Sequence, residues 1–509
     1  MKVLYFDDSV PIGEKPENVA IVAHAASAFE GPLPKQLEAA LVGDALTTLK
    51  HAAKKCKPSR DAGASVETFL TQDGKFQRVA ICLLPAGKEA RHEAPGHPHS
   101  TASLIKGAKG DGDLSVFFLL KDPKRETYSN CCAVPRAFST YSHKSGKSSS
   151  DNKCKVYACT GQTVLSSTNM SATVKVADLE AIAQGIQDCA HIVDMPPNEL
   201  HCTEYVRRAK EMFKDDKNVS IEVIAGEELE KKGLGGLYGV GKASCHPPAM
   251  VILSYNPPGA KKEETSVVMV GKGIVYDTGG LSIKSKTGMP GMKMDMGGSA
   301  GVLGAFHAIT QTGGIQRPLH CILCIAENSV GDNATRPDDV HVMYSGKTVE
   351  INNTDAEGRL AMISGLAWAA KNLNPAYMIN MATLTGAQGS ATGVKHAAIF
   401  CNNDSLEKLA VDAGMASGDL THPLPYAPSY FRPEFRSAVA DMLNSQRNRG
   451  NAGCAAPATF ISNHIEEYLE ADKGWLHIDM ASPAFINDRA TGYGVALLFL
   501  VLRSLESNL

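Results

Sequence analysis

Five runs of buried-type strand residues, at 249–254, 266–271, 319–326, 376–382 and 475–480, constrain this chain more than any other feature. Their apolar residues stand on consecutive positions instead of alternating with polar ones, the pattern of strands covered on both faces. Helical candidates at 298–312 and 360–372 lie between them, and strands alternating with helices build a mostly parallel central sheet flanked by helices. The first third of the chain has the same α/β character on a smaller scale. It carries strand-like runs at 79–84, 115–120 and 155–158 and an amphipathic helical stretch near 34–54. A stretch at 179–193, with Ile182, Ile186, Cys189 and Ile192 at helical spacing, ends before Pro196-Pro197 and reads as a connecting helix. The expectation is a two-domain α/β protein: a smaller N-terminal α/β domain over 1–170, a linker helix over 171–195 and a larger C-terminal domain over 196–509.

At 509 residues, with 43% hydrophobic and 21% charged side chains, the chain falls in the globular range. Lys+Arg 51 against Asp+Glu 54 gives a net charge of −3, so charge calls for neither nucleic acid nor an anionic membrane. The longest apolar run, 495–502, is far shorter than the roughly 18–20 residues that span a bilayer. Thirteen scattered cysteines, an odd number, fit a reducing compartment better than a disulfide scaffold. Residues 1–8 lack the apolar stretch of a secretory signal, and a cytoplasmic protein is expected. The final Ser507-Asn508-Leu509 has the outline of a peroxisomal tripeptide without its central basic residue and reads as coincidence. Segment 141–153, rich in Ser and Lys, reads as an exposed loop.

Several motif-like features have plainer explanations. Segment 236–242, Gly-Leu-Tyr-Gly-Val-Gly-Lys, begins like a phosphate-binding loop, but Ala243 stands where a metal-binding hydroxyl is required. It also precedes a strand instead of following one, so it reads as a Gly-rich turn. Cys321 and Cys324 have redox or zinc spacing inside an apolar strand with no second pair, which makes them core cysteines. The histidines form no His-Glu-x-x-His pair, and His477 reads as a strand residue.

Two segments carry chemistry. One follows the 266–271 strand and brings Lys272, Asp277, Gly279, Gly280 and Lys284, then Met292 and Asp295. The other is Asn353-Thr354-Asp355-Ala356-Glu357-Gly358-Arg359-Leu360. Asp355 and Glu357 stand two apart, so in an extended segment both side chains leave one face. Carboxylates that close repel unless a cation lies between them. Glycines beside Asp277 and Asp295 suit turns at the carboxyl edge of a sheet. The four carboxylates carry −4, which two divalent cations would balance, so charge favours a dinuclear site. An acidic pair followed by Gly and Arg is, alone, a common solvated turn; the two segments together are not.

The chain resembles the leucyl aminopeptidase (cytosol aminopeptidase) family of dinuclear metallopeptidases. The octad at 353–360 and the G-K-G-x-x-x-D-x-G-G…S-I-K block at 271–284 carry the resemblance, with support from segments 334–337, 382–387 and 490–494. It covers about 195–505, and the larger domain would then be the catalytic one. The resemblance implies an aminopeptidase with two divalent metal ions per subunit, Zn²⁺ or Mn²⁺ foremost among the ions its oxygen-rich ligand set suits. Asp277 and Glu357 would bridge the ions, Asp355 would complete the more exchangeable site, and Lys272 and Asp295 the tighter one. It further implies that Lys284 stabilises the oxyanion, and that Arg359, with backbone groups of Gly358 and Leu384, holds a bicarbonate acting as general base. The side-chain pocket would be formed by Met292, Thr383, Gly386 and Ala481. Ala484 stands where the family pattern has a larger Met, implying a wider pocket. Peptide substrates and a homohexamer follow from the same resemblance.

A dinuclear phosphoesterase uses similar carboxylates but usually recruits His ligands, which these segments lack. A DNA-binding or scaffolding role would call for a basic run or a degenerate metal site. Neither is present.

Overall fold

The structure, a computed structural model, describes residues 1–6, 11–145, 152–158, 163–166, 171–260 and 265–508. The expected 141–153 loop is described without helix or strand at 141–145, its residues 146–151 lie outside the described set, and Lys153 opens a strand. The chain divides into two compact α/β units. The first comprises Met1–Gln187 with Asp412–Leu420, and the second Asp188–Val411 with Thr421–Leu509.

In the first unit a six-stranded sheet runs in the order Lys2–Phe6, Lys153–Tyr157, Leu114–Leu119, Asn18–Ala23, Lys75–Leu83, Ala64–Gln72. All neighbours are parallel except the last two, which form a hairpin. The hairpin turns at Asp73-Gly74, both at positive φ, as a tight two-residue turn requires. Val19, Ile21, Val79, Ile81 and Phe117 supply its core. Arg136 and the buried Asp419, 2.6 Å apart, join the late segment to this unit. The single helix expected near 34–54 is two, Lys35–Ala40 and Ala45–Lys55. The buried Gln77 explains the break: its amide donates to Ala40 O at 2.8 Å and its carbonyl accepts from Val42 N at 3.2 Å, satisfying backbone groups that a continuous helix would pair internally.

The second unit is built on an eight-stranded sheet ordered Thr421–Pro423, Ala397–Cys401, Gly474–Asp479, Pro375–Ala382, Ser266–Asp277, Leu319–Asn328, Ala249–Tyr255, Val219–Ala225. The four central strands are mutually parallel, and antiparallel pairs flank them. Val268, Val270, Ile322 and Met378 are fully buried, which accounts for the unbroken apolar runs. Helix Gly297–Thr312 connects the first of these strands to Leu319–Asn328, and helix Glu357–Asn372 leads into Pro375–Ala382.

Segment 236–242 is no turn: Gly235–Gly241 is a buried helix. A Cβ at Gly236 would lie 2.3 Å from Leu360 O, so the glycine serves close helix packing and not phosphate binding. Cys321 and Cys324 are buried and free in their strand, and His477 is a buried strand residue.

Candidate active site

Because the central strands are parallel, they end at one edge, and their last residues include Asp277, Asn328, Ala382 and Asp479. The carboxyl edge of such a sheet is where α/β proteins place ligand sites. A cleft of about 430 Å³ opens here. Lys272, Asp277, Lys284, Asp295, Asp355, Glu357 and Arg359 line it, as do Met292, Thr383, Leu384, Gly386 and Ala481.

Asp277 is the last residue of its strand. Its Oδ1 accepts from Gly279 N and from Asn328 Nδ2, both at 2.8 Å, and its Oδ2 lies 2.7 Å from Lys284 Nζ. Five residues earlier on the same strand, Lys272 is almost wholly enclosed. Its Nζ lies 2.8 Å from Asp295 Oδ1, 2.9 Å from Glu357 Oε1 and 2.9 Å from Thr383 O. Asp295 sits in the 3₁₀ turn Met292–Met296 just before helix Gly297–Thr312, and Thr383 Oγ1 donates to it at 2.9 Å. Lys284 also approaches Asp355, at 2.5 Å.

The extended geometry expected for the acidic pair is not what brings it together. Asp355 lies in a turn, and Glu357 is the first residue of helix Glu357–Asn372, where the amino-terminal end of the helix favours a carboxylate. Asn444 shapes this entry. Its amide donates to Asn353 O and Ala356 O, while its Oδ1 accepts from Asn352 N and Asn353 N. Thr354 Oγ1 then ties the two motif segments together, donating to Gly279 O at 2.6 Å and accepting from Ser282 N at 2.7 Å. Asn328, Asn444 and Thr354 are positioning residues beyond the sequence-derived set.

Gly358 is buried under the cleft instead of lining it. A Cβ there would fall 2.4 Å from Lys272 Cε, so only glycine leaves room for the lysine. Ala484 is also buried and outside the cleft lining; a Cβ added at Gly297 would meet its methyl at 3.4 Å. Arg359 Nη1 donates to Asn444 O at 3.0 Å, with the guanidinium over the Phe460 ring.

The electrostatics show a cluster short of positive charge. Burial raises the pKa of Asp295 well above the carboxylate range, Lys272 opposes it, and Glu357 and Asp277 add to it. Glu357 is raised by burial and then by Asp277, and Asp355 by burial against the pull of Lys284. Burial works to strip the proton from Lys272, but Asp295, Glu357 and Asp277 outweigh it and hold an ammonium above its usual pKa. Lys284 is held likewise against its own partial burial, by Asp277 and Asp355. Burial lowers Arg359 to about 10, against Glu357 and Asp479. Two ammonium groups thus face four carboxylates. Oxygens of Asp277, Asp355 and Glu357 lie within 4.8 Å of one another, close enough to share an ion. Asp295 Oδ2 and Glu357 Oε2 are buried without a hydrogen-bond partner among the described residues, so each has a lone pair free for a ligand. A divalent cation that accepts carboxylate oxygens fits this donor set.

Fold and site together define the class: a two-domain α/β protein with an acidic centre suited to metal ions at the carboxyl edge of the larger sheet. The family described as "Cytosol aminopeptidase family, catalytic domain" matches residues 188–499. A probable aminopeptidase of Mus musculus is 44% identical over 426 residues, covering 82% of this chain and 78% of that protein. Leucine aminopeptidase 1 of Caenorhabditis elegans is 38% identical over 493 residues, covering 91% and 95%. The structure of leucyl aminopeptidase from Leishmania major in complex with actinonin is similar, with a TM-score of 0.86 and 33% identity over 99% of this chain and 94% of that one. The chain belongs to the cytosol aminopeptidase family. Among the described residues, no helix is long and apolar enough to cross a membrane.

Proposed function

We propose that the cleft releases the N-terminal residue of short peptides by hydrolysis at a centre of two divalent ions, Zn²⁺ or Mn²⁺, held by Asp277, Glu357, Asp355, Asp295 and Lys272. The observation that carries this reading is the convergence of four carboxylates on the buried Lys272 and the half-buried Lys284, with lone pairs of Asp295 and Glu357 left over. When bound, the ions supply Lewis acidity that polarises the scissile carbonyl, acidifies water and receives the free α-amine. Lys272 must give up its proton to act as a ligand, which the incoming positive charge favours. Lys284 keeps its proton and donates to the oxygen of the carbonyl as charge develops there. Arg359, with backbone groups of Gly358 and Leu384, would hold a bicarbonate, which would supply a general base. Met292, Thr383, Gly386 and Ala481 receive the side chain being released. The same reading makes the chain a cytoplasmic homohexamer. The scatter of thirteen cysteines, an odd number, supports a reducing compartment, and sedimentation equilibrium tests the assembly.

The test compares a dipeptide amide bearing a free N-terminus with its N-acetylated twin, using protein stripped by a chelator and then restored with Zn²⁺ or Mn²⁺. Metal-dependent cleavage of the free form alone is expected. Equal cleavage of both forms, or no cleavage of either after metal is restored, overturns the reading.

A further inference from the structure

Among the described residues, Arg449 is the charged residue of the cleft that the mechanism leaves without a task. It lies on the loop joining the short strand Met442–Leu443 to helix Ala455–Ser462, and that loop forms one wall of the cleft through Ser445, Gln446, Arg449 and Gly453. The backbone is pinned around it. Glu434 accepts from Asn448 N at 3.2 Å and from Asn451 Nδ2 at 2.9 Å, Gly450 N donates to Asn448 Oδ1, and Ser445 N is tied to Asn352 Oδ1. The neighbouring Arg447 is spent on Arg436 O. Arg449 itself is exposed, and among the described residues its guanidinium has no ion pair or hydrogen bond. The other cations of the cleft are engaged: Lys272 and Lys284 with carboxylates, Arg359 with Asn444 O.

The cleft is small, about 430 Å³, toward the lower end of the roughly 300–1,000 Å³ typical of ligand sites. In a dipeptide whose first side chain fills the pocket at Met292, Thr383, Gly386 and Ala481, the chain ends one residue beyond the scissile bond, in a carboxylate. Beyond the residues assigned above, the described lining offers one charge without an ion pair, the Arg449 guanidinium, and that charge is positive. A guanidinium presents a planar fork that matches a carboxylate.

We propose that Arg449 is a specificity-determining residue that binds the free α-carboxylate of a dipeptide, so that dipeptides are the preferred substrates of this cleft. The inference rests on the aminopeptidase reading above. Because the loop is already pinned, ordering the substrate carboxylate requires little rearrangement beyond the arginine side chain. Lysine at this position would keep the charge and lose the fork, retaining part of the preference.

The test is kcat/KM of the metal-loaded enzyme for leucylglycine, leucylglycine amide and leucylaspartate α-amide, in the native chain and in Arg449→Ala, Arg449→Lys and Arg449→Glu. The native enzyme is expected to favour leucylglycine over its amide about tenfold, or ~1.4 kcal/mol. That ratio should collapse toward one in R449A, stay intermediate in R449K and fall below one in R449E. A defect that is merely structural lowers both rates together and leaves the ratio in place. Equal use of acid and amide by the native enzyme, or a ratio untouched in R449A and R449E, overturns the inference while the aminopeptidase reading stands. An effect confined to leucylaspartate α-amide overturns it in favour of recognition of an acidic side chain. Failure to cleave any of the three overturns the aminopeptidase reading, and the inference falls with it.

Discussion

Lys272 and its neighbours show how tightly single residues are constrained here. A methyl at position 358 would occupy the space of the lysine side chain. Gly358→Ala is therefore expected to destabilise the protein by about 1–3 kcal/mol, as overpacking does, and to reduce metal occupancy by displacing Lys272; thermal unfolding and metal analysis read the two effects. Lys284→Ala should lower kcat by about 10²–10³-fold, the effect of losing one oxyanion donor, with an unchanged circular dichroism spectrum. Asp479 gives a pH signature. Burial raises it to about 6, against bonds from the Thr385 hydroxyl and from the backbone N–H groups of Leu384, Thr385 and Ala481. A free Asp titrates near 3.9, so the folded state holds this proton more tightly than the unfolded one. Its contribution to stability is fully present below about pH 4 and is lost as pH rises through about 6, a span of roughly 3 kcal/mol. Asp479→Asn should flatten that part of the pH–stability curve, and urea unfolding at pH 4.5 and 7 measures it.

At the scale of elements, the site works because strand ends and helix starts deliver the groups. Asp277 ends a strand, Glu357 begins a helix, Asp295 stands in the turn before another helix, and Thr383 follows a strand. The motif residues were legible in the sequence because 271–284 and 353–360 each compress several polar groups and glycines into a short span. The element that carries Asp355 and Glu357 was not, since a spacing of two fits an extended segment as well as a turn that enters a helix. Nor were Asn328 and Asn444, single asparagines whose roles come from strand neighbours and a distant loop. Asn444→Ala would leave Asn353 O, Ala356 O and two backbone N–H groups without their present partner. It is expected to cost about 1–3 kcal/mol and to loosen Asp355 and Glu357, visible as weaker metal binding out of proportion to the change in unfolding temperature.

Across the whole molecule, the larger sheet was readable because its central strands are buried on both faces and leave unbroken apolar runs. Shorter strands such as Asn18–Ala23 and Ala397–Cys401 went unanticipated, because five or six residues rich in Ala are as compatible with a helix. No local pattern could assign Asp412–Leu420 to the first unit, since that membership rests on contacts remote in sequence, such as Arg136 with Asp419. The mutual repulsion of the carboxylates links metal to folding. Cations that bind only the folded state should raise its stability by about 2.7 kcal/mol at a hundred times their Kd. The most direct measurement is a titration of stripped protein with Zn²⁺ or Mn²⁺ that follows bound metal per chain and peptide hydrolysis in the same samples. Two ions per chain are expected, with activity rising as the sites fill and Asp355→Asn binding one ion fewer. Hydrolysis at full rate with no bound ion, or binding of metal that Asp355→Asn leaves unchanged, would contradict a two-metal centre built on these carboxylates.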